Sequence, residues 1–193
     1  MSAPDQALIA MLRAALRTAA DPQKAAPMQA YMKSTMPFLG VQKPARVRAL
    51  KPAFQSLSLH DPAIWRATVM TLFREATYRE ERYAALDLLG RRAYRSWLDM
   101  STLPLLEALI VEGAWWDIVD EVTTQRLGPL LRRRPEALAE VMRAWAQDGS
   151  LWKRRASILA QLKHKRGTDL GLLSDVVTPN LHDPDFFIRK AIG

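Results

Sequence analysis

The sequence predicts an all-α fold. Apolar residues recur with a period near 3.6 along almost every segment. Glycine is scarce, with 8 in 193 residues, and no run of alternating β-branched residues occurs. The first helix covers residues 5–20, with Leu8, Ile9, Leu12, Ala15 and Leu16 as its apolar stripe, and Asp21-Pro22 ends it. A second helix starts near Pro27 and carries Met28, Tyr31 and Met32. Residues 37–44, with proline at both ends, read as an irregular loop. A helix follows over 44–57, with Pro52 as a kink point.

From there a rhythm sets in. Asp61-Pro62 is a cap followed by a proline in the first helical turn, opening a helix over 64–75, and its partner covers 79–92. The next pairs are 103–111 with 115–126, 135–146 with 151–164, and 169–178 with 184–193. Matching positions lie roughly 36 residues apart, the span of one helix-pair repeat. The pattern predicts one domain, residues 1–193, of stacked antiparallel helix pairs. This is a HEAT-like α-solenoid whose second helices line a concave face. An ordinary helical bundle is the alternative.

Charge points to the partner. Lys and Arg number 28 against 20 Asp and Glu, a net charge of +8. Such an excess suits a polyanion, most often nucleic acid. Cations gather at Arg91-Arg92 with Arg95, at Arg132-Arg133-Arg134, at Lys153-Arg154-Arg155, at Lys163 to Arg166, and at Arg189-Lys190. In a solenoid these positions border the concave face, giving a basic groove that would track a phosphate backbone. Each cluster alone reads better as a solvated helix end.

Other classes fall away. Cysteine is absent, so there is no disulfide framework, thiolate metal site or cysteine nucleophile. His60, His164 and His182 lack metal-ligand spacing, so no metal is expected. No phosphate loop, dinucleotide fingerprint or nucleophile elbow occurs, and no cofactor is expected. The N-terminus shows no signal peptide, and the longest apolar stretch, 103–116, is broken by Glu107 and Glu112, so no membrane span is expected. The expectation is a cytoplasmic monomer, nucleoid-associated if bacterial.

Carboxylate and aromatic chemistry remains. Trp116 and Asp120 are i and i+4 and share a helix face, while Trp115 turns toward the core. Asp120 beside an indole could stabilise a developing cation. On these residues alone the better reading is that both tryptophans are core and Asp120 is the ion-pair partner of an arginine. Trp152, followed by Lys153-Arg154-Arg155, carries the same ambiguity: Trp152 is core or interface, and Arg155 is a phosphate clamp or a plain surface charge.

Five stretches carry a resemblance. They are Tyr31-Met32-Lys33, Phe38 through Pro44, Trp115-Trp116-Asp117-Ile118-Val119-Asp120, Leu151 through Leu159, and Phe186-Phe187-Ile188-Arg189-Lys190-Ala191-Ile192-Gly193. In this order they resemble the AlkD-type alkylpurine DNA glycosylases, which are built from HEAT-like repeats. The resemblance spans nearly the whole chain. It implies a monofunctional enzyme of base-excision repair that removes cationic N3- or N7-alkylated purines from double-stranded DNA.

It also implies roles. Asp120 is the catalytic carboxylate, Trp116 a wall aromatic, and Arg155 a cation touching the backbone near the lesion. Tyr31 lies near the same cleft, and Gln42 and Lys43 touch DNA from the N-terminal side. Trp152, Arg154 and Lys190 complete the implied DNA-binding set. The family's pattern continues after Ala-Ile-Gly with a second wall tryptophan and further helix, which these 193 residues do not include. Two rival readings are a non-enzymatic repeat scaffold that binds DNA or protein, and an RNA-binding repeat protein, although the regular polar pairs of a base code are missing.

Overall fold

The computed structural model describes residues 2–193. Every regular element among them is helical. The chain forms two compact units, one ending at Arg95 and the other running Ser96–Gly193.

In the first unit, α1 (Gln6–Thr18) buries Leu8, Ile9, Leu12 and Leu16 at i, i+1, i+4 and i+8, and the Asp5 carboxylate caps it by accepting from the Leu8 N–H at 2.8 Å. That stripe packs on α3 (Lys43–Ser56), α4 (Pro62–Arg74) and α5 (Arg79–Leu89). The fully buried Trp65 and Phe73 of α4 fill the centre. The second helix differs from expectation. α2 runs Pro22–Met32, so Asp21 caps it by accepting from the Gln23 N–H rather than only closing α1. An Asp-Pro pair is both a stop and a start, because proline's missing N–H is harmless in a first turn. Pro27 and Pro52 both lie inside their helices.

In the second unit, α6 (Leu103–Gly113) leads to α7 (Trp116–Val122), which continues through a π-helical turn, Thr123–Leu127, into α8 (Gly128–Arg133). Then come α9 (Pro135–Ala146), α10 (Leu151–Leu159), α11 (Leu170–Val177) and α12 (Phe186–Ile192). α10 is the hub, packing on α6, α7, α9, α11 and α12.

The repeat period is visible in hydrogen bonds. The Leu59 N–H donates to the Tyr94 hydroxyl, 35 residues on, and Arg133 donates to the Leu98 carbonyl, 35 back. His164 Nε2–H donates to the Gly128 carbonyl at 2.9 Å across 36 residues, and Asn180 to the Ala146 carbonyl across 34. Within the second unit these bonds tie equivalent points of successive helix pairs.

Candidate active site

Ala114 ends α6 in the left-handed region (φ 42°), and Trp115 is extended before α7 starts. This turn sends the two tryptophans different ways. Trp115 packs edge-on against Phe187 (5.3 Å between centroids) and tilted against Trp152 (6.2 Å); Trp152 and Phe187 are 5.1 Å apart. Aromatic clusters of this geometry add about 0.5–1.5 kcal/mol per pair beyond burial. Trp116 opens α7 and stays partly accessible, one helical turn before Asp120.

Asp120 is held by Arg155 of α10. Nε donates to one carboxylate oxygen at 2.8 Å and Nη2 to the other at 2.7 Å, a two-point clamp that fixes the plane of the carboxylate. Nη1 donates to the Phe187 carbonyl at 2.5 Å, and the guanidinium carbon lies 5.9 Å from the Phe187 ring. The arginine side chain is 8% exposed and the aspartate 32%. The cation is therefore buried behind a carboxylate that still reaches solvent.

The flanking cations are committed elsewhere. Lys153 bridges Glu107 at 2.8 Å and Asp148 at 2.6 Å. Burial opposes its charge, but these bonds prevail and raise its pKa, and the bond from Lys153 in turn holds the Asp148 carboxyl below its ordinary range. Arg154 pairs with Asp183 at 2.9 Å and donates to the Asp148 carbonyl. The Asp185 N–H, then Arg154, keep Asp183 low as well. Lys190 is exposed in the last turn of α12. Among the described residues, no group of three His, Asp or Glu side chains could hold a metal ion.

The first unit brings Tyr31, Gln42 and Lys43 together. They line a cleft of about 490 Å³ with Met28, Arg46 and Tyr83. Tyr31 is 77% exposed. Arg46 pairs with Asp87 at 2.7 Å and lies 5.0 Å from the Tyr83 ring. One residue here escapes sequence reasoning. Glu80 is fully buried, and its carboxylate accepts the N–H groups of Leu39, Gly40 and Val41 at 2.9–3.0 Å, pinning the loop that carries Gln42 and Lys43. The signal was available: Glu80 falls on the same helical stripe as the buried Ala84 and Leu88. Gly40 is obligatory in that loop, since at φ 82° an added Cβ would lie 2.0 Å from the Asp21 carbonyl oxygen.

The family model described as DNA alkylation repair enzyme matches residues 12–193. The chain belongs to the DNA alkylation repair enzyme family. A solved structure named as a predicted DNA alkylation repair enzyme from Enterococcus faecalis superposes with a TM-score of 0.78 at 25% identity, covering 89% of this chain and 79% of that one. No curated protein matches. Membership gives this repair-family protein a role in DNA repair, and every candidate residue, from Tyr31 to Lys190, lies within the matched range. No helix among the described residues is long and apolar enough to cross a membrane.

Proposed function

We propose that this repair-family protein is a DNA glycosylase that hydrolyses the N-glycosidic bond of purines alkylated at N3 or N7. Such a base already carries positive charge, so it departs without a general acid. As the bond breaks, positive charge moves to the deoxyribose. A fixed anion near C1′ stabilises that state and can orient the attacking water.

The observation that supports this reading is Asp120 itself. It is a carboxylate in a strongly basic chain, oriented at both oxygens by Arg155, one turn from Trp116, and still a third exposed. Preorganised charge costs no reorientation during the reaction. Arg155 acts mainly as the positioning residue. Three of its five N–H groups serve Asp120 and the Phe187 carbonyl.

The test is incubation with N-methylated duplex DNA followed by chromatography of the freed bases. Release of 7-methylguanine or 3-methyladenine is expected. Tight binding with no base released would leave the scaffold reading in its place.

A further inference from the structure

The second unit contains a cationic rim that is not spent on carboxylates. Several cations of the second unit are ion-paired: Lys153 with Glu107 and Asp148, Arg154 with Asp183, Arg155 with Asp120, and Arg126 with Glu121. On α9, Arg143 holds Glu140 and Asp175. By contrast, Arg132, Arg133, Arg134, Lys163, Lys165 and Arg166 are all exposed.

The fold brings the two basic runs together through Arg132, while the Arg133 guanidinium is committed to the Leu98 carbonyl. The Arg132 guanidinium donates to the Lys163 carbonyl at 2.9 Å, and the buried His164 donates to the Gly128 carbonyl. Gly128 permits that approach, because an added Cβ would sit 2.4 Å from the Ala160 carbonyl oxygen. The stretch 128–134 therefore lies directly against 160–166. Helix-dipole stabilisation accounts for Arg132 and Arg133, which close α8. It gives Arg134 no net support, since that residue both closes α8, where a cation is favoured, and precedes α9, where one is disfavoured. Nor does it account for Lys165 and Arg166, which project from a short 3-10 turn after Lys165 takes a left-handed φ of 53°. Glu136 is the acid nearest in sequence to the arginine run.

We infer that this rim is a second contact for the phosphate backbone of duplex DNA, and that it, rather than Arg154 and Arg155, carries most of the salt-dependent affinity of the second unit. From Asp120 to Arg132 is roughly 18 Å along α7 and α8, at about 1.5 Å per residue. That is about five base-pair steps of duplex at ~3.4 Å each. A duplex that presents a sugar to Asp120 and runs along α7 and α8 would have phosphates within reach of the rim. This rests on the DNA-binding half of the proposed function and not on its catalytic half.

The experiment is equilibrium binding of an undamaged duplex, followed by fluorescence anisotropy from 50 to 200 mM salt. Arg134→Gln, Lys165→Gln and Arg166→Gln are combined, since no bond from these side chains holds another element. Each phosphate contact contributes about 0.9 to the slope of log K against log salt, so the triple variant should be shallower by roughly 2.7. Over that fourfold salt range the wild type should then lose roughly 40-fold more affinity than the variant.

Arg143→Gln, which removes the same charge from an ion-paired site, should leave the slope unchanged. If the triple variant is unstable, Arg134→Gln and Arg166→Gln singly should each lower the slope by about one. An unchanged slope in folded variants overturns the inference. So does tighter, rim-dependent binding of double-stranded RNA, which would make RNA the ligand. Base release is scored separately. A rim that binds DNA in a protein that frees no base sinks the glycosylase reading alone.

Discussion

The Asp120–Arg155 pair makes a prediction that separates catalysis from mere ion pairing. A positive charge forming at C1′ about 4 Å from Asp120 gains about 4 kcal/mol at an effective dielectric of ~20. The Arg155 guanidinium sits behind the carboxylate, with its donors 2.7–2.8 Å from the oxygens. At roughly 7 Å from the sugar it takes back about 2.4 kcal/mol by the same arithmetic. Asp120→Asn removes the attraction and leaves the repulsion, so base release should slow by about a thousandfold. Adding Arg155→Gln removes the repulsion too. The double variant loses only the net ~1.8 kcal/mol and should be about 20-fold slower than wild type. The second substitution therefore rescues the first.

The assay is single-turnover release of 7-methylguanine from duplex DNA at saturating protein, with thermal melts confirming that each variant is folded. Breaking a buried pair can itself cost 3–5 kcal/mol, less here because Asp120 is a third exposed. The melts are therefore needed to choose a working temperature. A folded Asp120→Asn protein that releases base at the wild-type rate would mean that the carboxylate is only a structural partner. A double variant slower than the single one would refute the electrostatic argument even if Asp120 mattered.

Three further outcomes follow. Glu80→Gln leaves one acceptor oxygen where a carboxylate served three backbone N–H groups; the cost should be about 2–3 kcal/mol, seen as a Tm fall of roughly 4–12 °C. Gly128→Ala forces a Cβ to 2.4 Å from the Ala160 carbonyl oxygen, and urea unfolding should show about 1–3 kcal/mol of destabilisation. On acidification, Asp148 and Asp183, whose folded pKa values lie below 3.8, contribute stability that is complete above that unfolded value and is lost as pH falls through the folded values. The urea midpoint should therefore decline below about pH 4, and Asp148→Asn together with Asp183→Asn should reduce that decline.

Helix positions were legible where caps and prolines agree. α9 occupies Pro135–Ala146, matching its expected bounds, and the carboxylates of Asp5, Asp61, Asp169 and Asp185 each cap the helix that follows. The misreadings are equally physical. Asp21-Pro22 stops one helix and starts another, so α2 begins five residues before Pro27. The helix expected over 115–126 runs on to Arg133. The ladder widens into a π turn there, with the Gly128 N–H bonding the Thr123 carbonyl, and a proline with no N–H to donate fits at that point. Which cations were already spent was not legible at all, because Glu107, Asp148 and Asp183 reach them from other helices and turns.

The pairing at the candidate site was latent in the repeat. Asp120 and Arg155 were singled out separately, but they stand 35 residues apart, the same separation that joins Leu59 to Tyr94 and Arg133 to Leu98. Arg155 then reaches Phe187, 32 residues further on. The acid, the arginine that orients it and the carbonyl that anchors the arginine thus come from three consecutive helix pairs, on α7, α10 and α12. A repeat fold makes this cheap, since residues at one repeat position stack on their counterparts in the next. It also makes the carboxylate sensitive to the last helix. If α12 frays, Arg155 loses the Phe187 carbonyl and the ring beside it, and Asp120 loses the fixed plane on which its proposed action depends.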